Sequence, residues 1–137
     1  MRIFLDANIL FSAAKTDGAI RQLLRLLADA GHQCHVDTYV VEEARRNLAL
    51  KAPGNLAVLD RLLGPIHVAQ VTSRPADVEA ARSLPEKDRP VLAAAMQLGC
   101  EALVTGDRTH FGALYGKTLG GVTIHSPRSL SETVLKS

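Results

Sequence analysis

The chain has 137 residues, 47% hydrophobic and 22% charged, which excludes a disordered polymer and fits one domain with a real core rather than two. Its formal net charge of +2 permits a polyanionic partner without demanding one. No apolar run approaches the ~20 residues of a membrane span.

The opening Met1-Arg2-Ile3-Phe4-Leu5-Asp6 reaches an acid too soon for a signal peptide, so a cytoplasmic protein is expected and residues 1–6 read as a first strand. Residues 7–30 are helical in pattern, with Leu23, Leu24, Leu26 and Leu27 as apolar positions and Gly31 as the stop. A second strand is expected from His32 to Asp37. Thr38 can cap a helix running to about Lys51, broken by Pro53-Gly54. Asn55 to Leu63 reads as another helix, and Ile66 to Val71 as a third strand.

Pro75 opens a short helix ending near Leu84. Asp88 and Pro90 introduce a helix from Val91 to Leu98, closed by Gly99. Leu103-Val104-Thr105 is the fourth strand, His110 to Tyr115 a turn or short helix, and Val122-Thr123-Ile124 a fifth strand. Ser126-Pro127 start a terminal helix. Cys34 and Cys100 sit in or beside apolar stretches without metal or redox spacing, and are expected as buried thiols. Strands alternating with helices imply parallel pairing. The expected class is α/β, a three-layer α/β/α sandwich around a parallel sheet of four to five strands, in one domain over residues 1–137.

In such a fold the carboxyl edge of the sheet carries the site, and four acids fall where separated segments reach it. Asp6 ends the first strand with Asn8 close behind, and is read equally well as a helix N-cap or a metal ligand. Glu43 falls on the border of the apolar face made by Val40, Val41, Ala44 and Leu48, while Glu42 points toward solvent. A surface glutamate favoured by the helix dipole is the plainer reading of Glu43. Asp88 precedes an apolar helix, and an N-cap there is compatible with a site role. Asp107 follows Thr105-Gly106, where the glycine is expected to let the backbone turn sharply; this strand–Thr–Gly–Asp corner is more than a surface turn needs. Clustered carboxylates repel one another unless a cation joins them, and the neighbouring Arg45, Arg46, Arg89, Arg108 and His110 suit a phosphodiester.

The segments Phe4-Leu5-Asp6-Ala7-Asn8-Ile9-Leu10, Tyr39-Val40-Val41-Glu42-Glu43-Ala44-Arg45-Arg46-Asn47-Leu48, Asp88-Arg89-Pro90-Val91-Leu92-Ala93-Ala94-Ala95 and Leu103-Val104-Thr105-Gly106-Asp107 together resemble the PIN domain. That fold is found in small prokaryotic ribonucleases including VapC-type toxins. The resemblance implies an acidic quartet of Asp6, Glu43, Asp88 and Asp107, with Asn8 and Thr105 as polar neighbours, holding Mg²⁺ or Mn²⁺ to hydrolyse RNA. It also implies a cognate antitoxin and a homodimer. Many members carry a further acid shortly after the last aspartate; here Arg108-Thr109-His110-Phe111 offers none, and His110, with Arg89 and Arg108, is a candidate substrate contact. The competing readings are a nuclease acting on DNA and a PIN-fold binding module that does not cut. A phosphotransfer receiver would need a lysine after a late strand, and Lys117 lies poorly for it.

Overall fold

The computed structural model describes residues 1–70, 84–85 and 88–135. Its elements in chain order are β1 (Arg2–Leu5), α1 (Ala7–Lys15), α2 (Ala19–Asp29), β2 (Gln33–Asp37), α3 (Thr38–Lys51), α4 (Leu56–Leu63), β3 (His67–Ala69), α5 (Arg89–Gln97), β4 (Ala102–Val104), α6 (Arg108–Phe111), β5 (Thr118–Leu119), β6 (Val122–His125) and α7 (Pro127–Val134). Short 3₁₀ turns follow α3 and α6.

The strands form one sheet in the order β3-β2-β1-β4-β6-β5. Ile3, Phe4 and Leu5 of β1 and Leu103 and Val104 of β4 are wholly buried, as expected of central parallel strands covered on both faces. Helix α1 packs against α2, α3 and α4, while α5 lies on β4 and β6. The run Val91–Ala95 of α5 is buried throughout, the mark of a helix enclosed by the core.

The fold is the expected three-layer α/β architecture, with corrections in detail. The sheet has six strands, and β5 pairs antiparallel with β6. Their link is the glycine pair Gly120 and Gly121, with φ of +57° and +82°, the paired positive dihedrals of a tight two-residue hairpin. The helical stretch over 7–30 is two helices, parted at Thr16–Gly18, where the Thr16 and Gly18 backbones are extended. Asp37, not Thr38, caps α3, its Oδ1 accepting from the Val40 N–H at 3.0 Å. The expected helix from Pro75 and the end of the third strand at Val71 lie outside the described residues. No helix among the described residues is long and apolar enough to cross a membrane.

The strand order reverses between β1 and β4. Chain leaving β1 for the helical layer turns toward β2, whereas β4 sits on the other side, so a crevice opens past their carboxyl ends. Asp6 and Thr105 are the first residues beyond those two strands. The Asp6 N–H donates to the Val104 carbonyl at 3.1 Å, holding the two exits together.

Candidate functional site

Asp6 is 5% exposed, because β1 delivers it straight from the core into the first turn of α1. Its Oδ1 caps α1 by accepting from the Ala7 N–H at 2.7 Å, and its Oδ2 accepts from the Thr105 hydroxyl at 2.8 Å. Burial, reinforced by the charges of Glu43 and Asp88, pushes its carboxyl up to about 6 against the pull of those two hydrogen bonds. The capping reading of Asp6 holds through Oδ1, while Oδ2 is bound by Thr105 and Asn8 at the crevice.

Asn8 and Thr105 brace the crevice. The Asn8 amide donates to Asp6 Oδ2 at 3.3 Å and to Thr105 Oγ1 at 3.2 Å, while its oxygen accepts from the Gly106 N–H at 2.8 Å. Thr105 Oγ1 also accepts from the Asp107 N–H at 3.1 Å. Gly106 does not take a positive φ, and a Cβ there would lie 3.4 Å from Asn8 Oδ1, an ordinary contact. The sharp turn expected of this glycine is thus made by the hydrogen bonds around it rather than by its special dihedral freedom.

Asp107 uses its two oxygens differently. Oδ1 caps α6 through the His110 N–H at 3.1 Å, and Oδ2 lies 2.8 Å from His110 Nδ1. The same Nδ1 is 2.9 Å from Asp88 Oδ2. Asp88 stands at the N-cap position of α5 but makes no capping hydrogen bond with its side chain; that carboxylate turns toward the crevice instead. Asp88, Asp107 and His110 each offer a ligand atom, all within 4.8 Å of one another. Asp6 and Glu43 stand outside that tight cluster, with Asp6 within electrostatic reach of both Asp88 and Glu43.

Glu43 is half-buried on α3 and Glu42 exposed, as the helical period required. The basic residues divide. Arg45 pairs with Asp60 on α4, and Arg89 Nε donates to the Leu84 carbonyl at 3.0 Å, so both have structural employment. Arg46 and Arg108 are exposed.

Sequence reasoning passed over two tyrosines. Tyr39, in the first turn of α3, has its hydroxyl pushed up by burial and then by the charges of Glu43, Asp88 and Asp6, against a smaller opposing pull from Arg46. The Tyr115 hydroxyl donates to the Thr105 carbonyl at 2.8 Å, and burial followed by Asp107 and Asp6 raises it against Arg108. The available signal was compositional: the chain has only two tyrosines, and both flank the acids.

The donor set fits a divalent cation. Two carboxylates and an imidazole converge from α5 and α6, and a further carboxylate nearby is hard to ionise, so added positive charge relieves like-charge repulsion. A compact oxygen-rich set with one nitrogen suits Mg²⁺, Mn²⁺ or a related ion.

A doubly wound sheet with acids converging at its switch point defines an α/β protein with a cluster at the sheet's carboxyl edge that could hold a cation. Residues 2–109 match the PIN domain model, and the chain belongs to the PIN domain family. Comparison with curated protein sequences gives no match. Among solved structures, the fold is shared with VapBC2 from Rickettsia felis, bound to a DNA fragment from its promoter (17% identity over 92% of this chain and 98% of that one, TM-score 0.70). It is shared also with DNA-bound VapBC from Salmonella typhimurium (18% identity, 93% and 98%, TM-score 0.68). A third is VapC20 of Mycobacterium tuberculosis, a sarcin–ricin loop cleaving toxin (18% identity, 85% and 98%, TM-score 0.57). At these identities the likeness is one of fold.

Proposed function

We propose that this chain is a divalent-metal-dependent ribonuclease and the toxin of a toxin–antitoxin pair. The observation that carries the reading is the convergence of Asp88, Asp107 and His110 beside a buried Asp6 at the switch point of a PIN fold. Asp88 and Asp107 would hold Mg²⁺ or Mn²⁺, with Asp6 and Glu43 completing the acidic surround. When bound, the cation supplies charge stabilisation for the phosphate and acidifies a water, which serves as nucleophile. Thr105 and Asn8 fix the Asp6 carboxylate through hydrogen bonds, and Arg108, exposed beside Asp107, steers the polyanion to the crevice.

The antitoxin part of the reading draws support from the VapBC assemblies that share the fold. It draws support as well from a groove of about 340 Å³ between α2 and α4, where Leu24, Leu62 and Ile66 lie beside Arg25 and Arg61. The rim carries Arg21, Arg25 and Arg61 against one aspartate, Asp29, with Arg21 and Arg25 also paired to Asp17; an apolar floor with this excess of arginine suits an amphipathic segment bearing acids.

The test is cleavage of labelled single-stranded RNAs, with DNA of the same sequences in parallel, under Mg²⁺, Mn²⁺ or EDTA. Wild type should cut RNA only with metal, and Asp6→Asn and Asp107→Asn should each lower the rate on the order of 10²-fold or more. Folded, metal-loaded wild type that leaves every RNA intact would sink the ribonuclease reading.

A further inference from the structure

His110 stands between two of the crevice's carboxylates. Its Nδ1 lies 2.8 Å from Asp107 Oδ2 and 2.9 Å from Asp88 Oδ2. Adjacent ligands of an octahedral cation at bond lengths of ~2.1 Å sit about 3.0 Å apart, close to both distances. A cation held by both carboxylate oxygens would therefore have this nitrogen within reach as a further donor.

The local sequence explains how it gets there. Asp107 is the N-cap of α6 and His110 lies three residues on, and the Asp107 cap on the His110 N–H fixes their relative position. Asp88 arrives from the N-cap position of α5, with its Oδ2 beside the imidazole. The imidazole, its carboxylate partners and their backbones are all part of the folded chain.

We propose that His110 is an inner ligand of the bound cation through Nδ1, and that this nitrogen makes the site favour Mn²⁺ over Mg²⁺. The inference rests on the metal-dependent reading above and deepens it. Magnesium prefers oxygen donors and retained water, whereas imidazole suits first-row transition metals. Replacing one oxygen corner with nitrogen therefore costs Mg²⁺ more than Mn²⁺. The alternative is that His110 bridges the two acids only in the metal-free chain and swings out when a cation enters.

The experiment uses the purified full chain, stripped with chelator and loaded with one equivalent of Mn²⁺. Electron spin-echo envelope modulation should show ¹⁴N coupling from one imidazole. The coupling should vanish in His110→Asp, which still binds Mn²⁺. Calorimetric titration should show wild type binding Mn²⁺ on the order of tenfold more tightly than Mg²⁺, and the ratio should narrow in His110→Asp. Bound Mn²⁺ without nitrogen coupling, with binding abolished in Asp107→Asn, would overturn the inference while leaving the acidic site standing. Coupling that persists in His110→Asp would assign it to another of the five histidines and overturn it too. A folded chain that takes up neither ion would remove the site reading itself. His110→Asn serves as second variant should the aspartate substitution disturb folding.

Discussion

Thr105 Oγ1 donates to Asp6 Oδ2 and accepts from the Asp107 and Asn8 nitrogens, tying the ends of β1 and β4 into one unit. Thr105→Val keeps the shape and deletes the hydroxyl. Since the side chain is wholly buried, the orphaned partners should cost about 1–3 kcal/mol, read as a lowered denaturant midpoint with an unchanged slope. Asp6 gives a pH signature. Its folded value of about 6 lies above the 3.8 it has when unrestrained. Its contribution to stability is therefore full below about pH 4 and is lost as pH rises toward 6, where the folded chain must bury a charge. The metal-free protein should melt higher at pH 5 than at pH 7.5, and Asp6→Asn should flatten that difference while being the more stable of the two at pH 7.5. A shift of this size corresponds to roughly 3 kcal/mol at most. Equal pH slopes in the two proteins would show that Asp6 is not the group responsible.

Helix α3 brings Tyr39 and Glu43 to the crevice, and its start depends on Asp37. The Asp37 carboxyl is buried and pushed up by that burial, against its hydrogen bonds to backbone N–H groups. Asp37→Ala should cost about 1–2 kcal/mol and Asp37→Asn less, because asparagine caps equally well; thermal melts of the pair check it. Reading Thr38 as the cap from sequence was a natural slip, as Asp and Thr are both good caps and only backbone dihedrals decide between neighbours. The central elements were legible for a stronger reason. Ile3-Phe4-Leu5, Leu103-Val104 and Val91–Ala95 are buried on every side, and such runs have little freedom to be anything else. The edge was not: β5 has two residues, too few for a period, although Gly120-Gly121 advertised its hairpin. Of the site, the acids could be placed because each adjoins a buried element. The approach of Asp88 to His110, 22 residues along the chain, and of the Tyr115 hydroxyl to the Thr105 carbonyl depends on packing that no local pattern encodes.

At the scale of the whole molecule, burial beside Glu43 and Asp88 makes the Asp6 carboxylate costly to ionise, and a cation bound among these acids should add stability to the folded chain. A ligand that binds only the folded state stabilises it by about 2.7 kcal/mol at one hundred times its dissociation constant. For a chain of this length that is a rise in melting temperature on the order of 5–15 °C. Saturating Mn²⁺ or Mg²⁺ should therefore raise the transition of wild type at pH 7.5, EDTA should reverse the rise, and Asp88→Asn or Asp107→Asn should remove most of it. The pH dependence should change sign as well. Without metal, stability falls as pH climbs through the Asp6 transition; with saturating metal it should hold or rise, because cations bind ionised carboxylates and compete with protons for them. That crossing of the two curves separates site binding from general salt screening, which would weaken the metal-free slope without inverting it. Monovalent salt at matched ionic strength is the control, and a Na⁺ curve that superimposes on the Mg²⁺ curve would show that the crevice holds no specific ion.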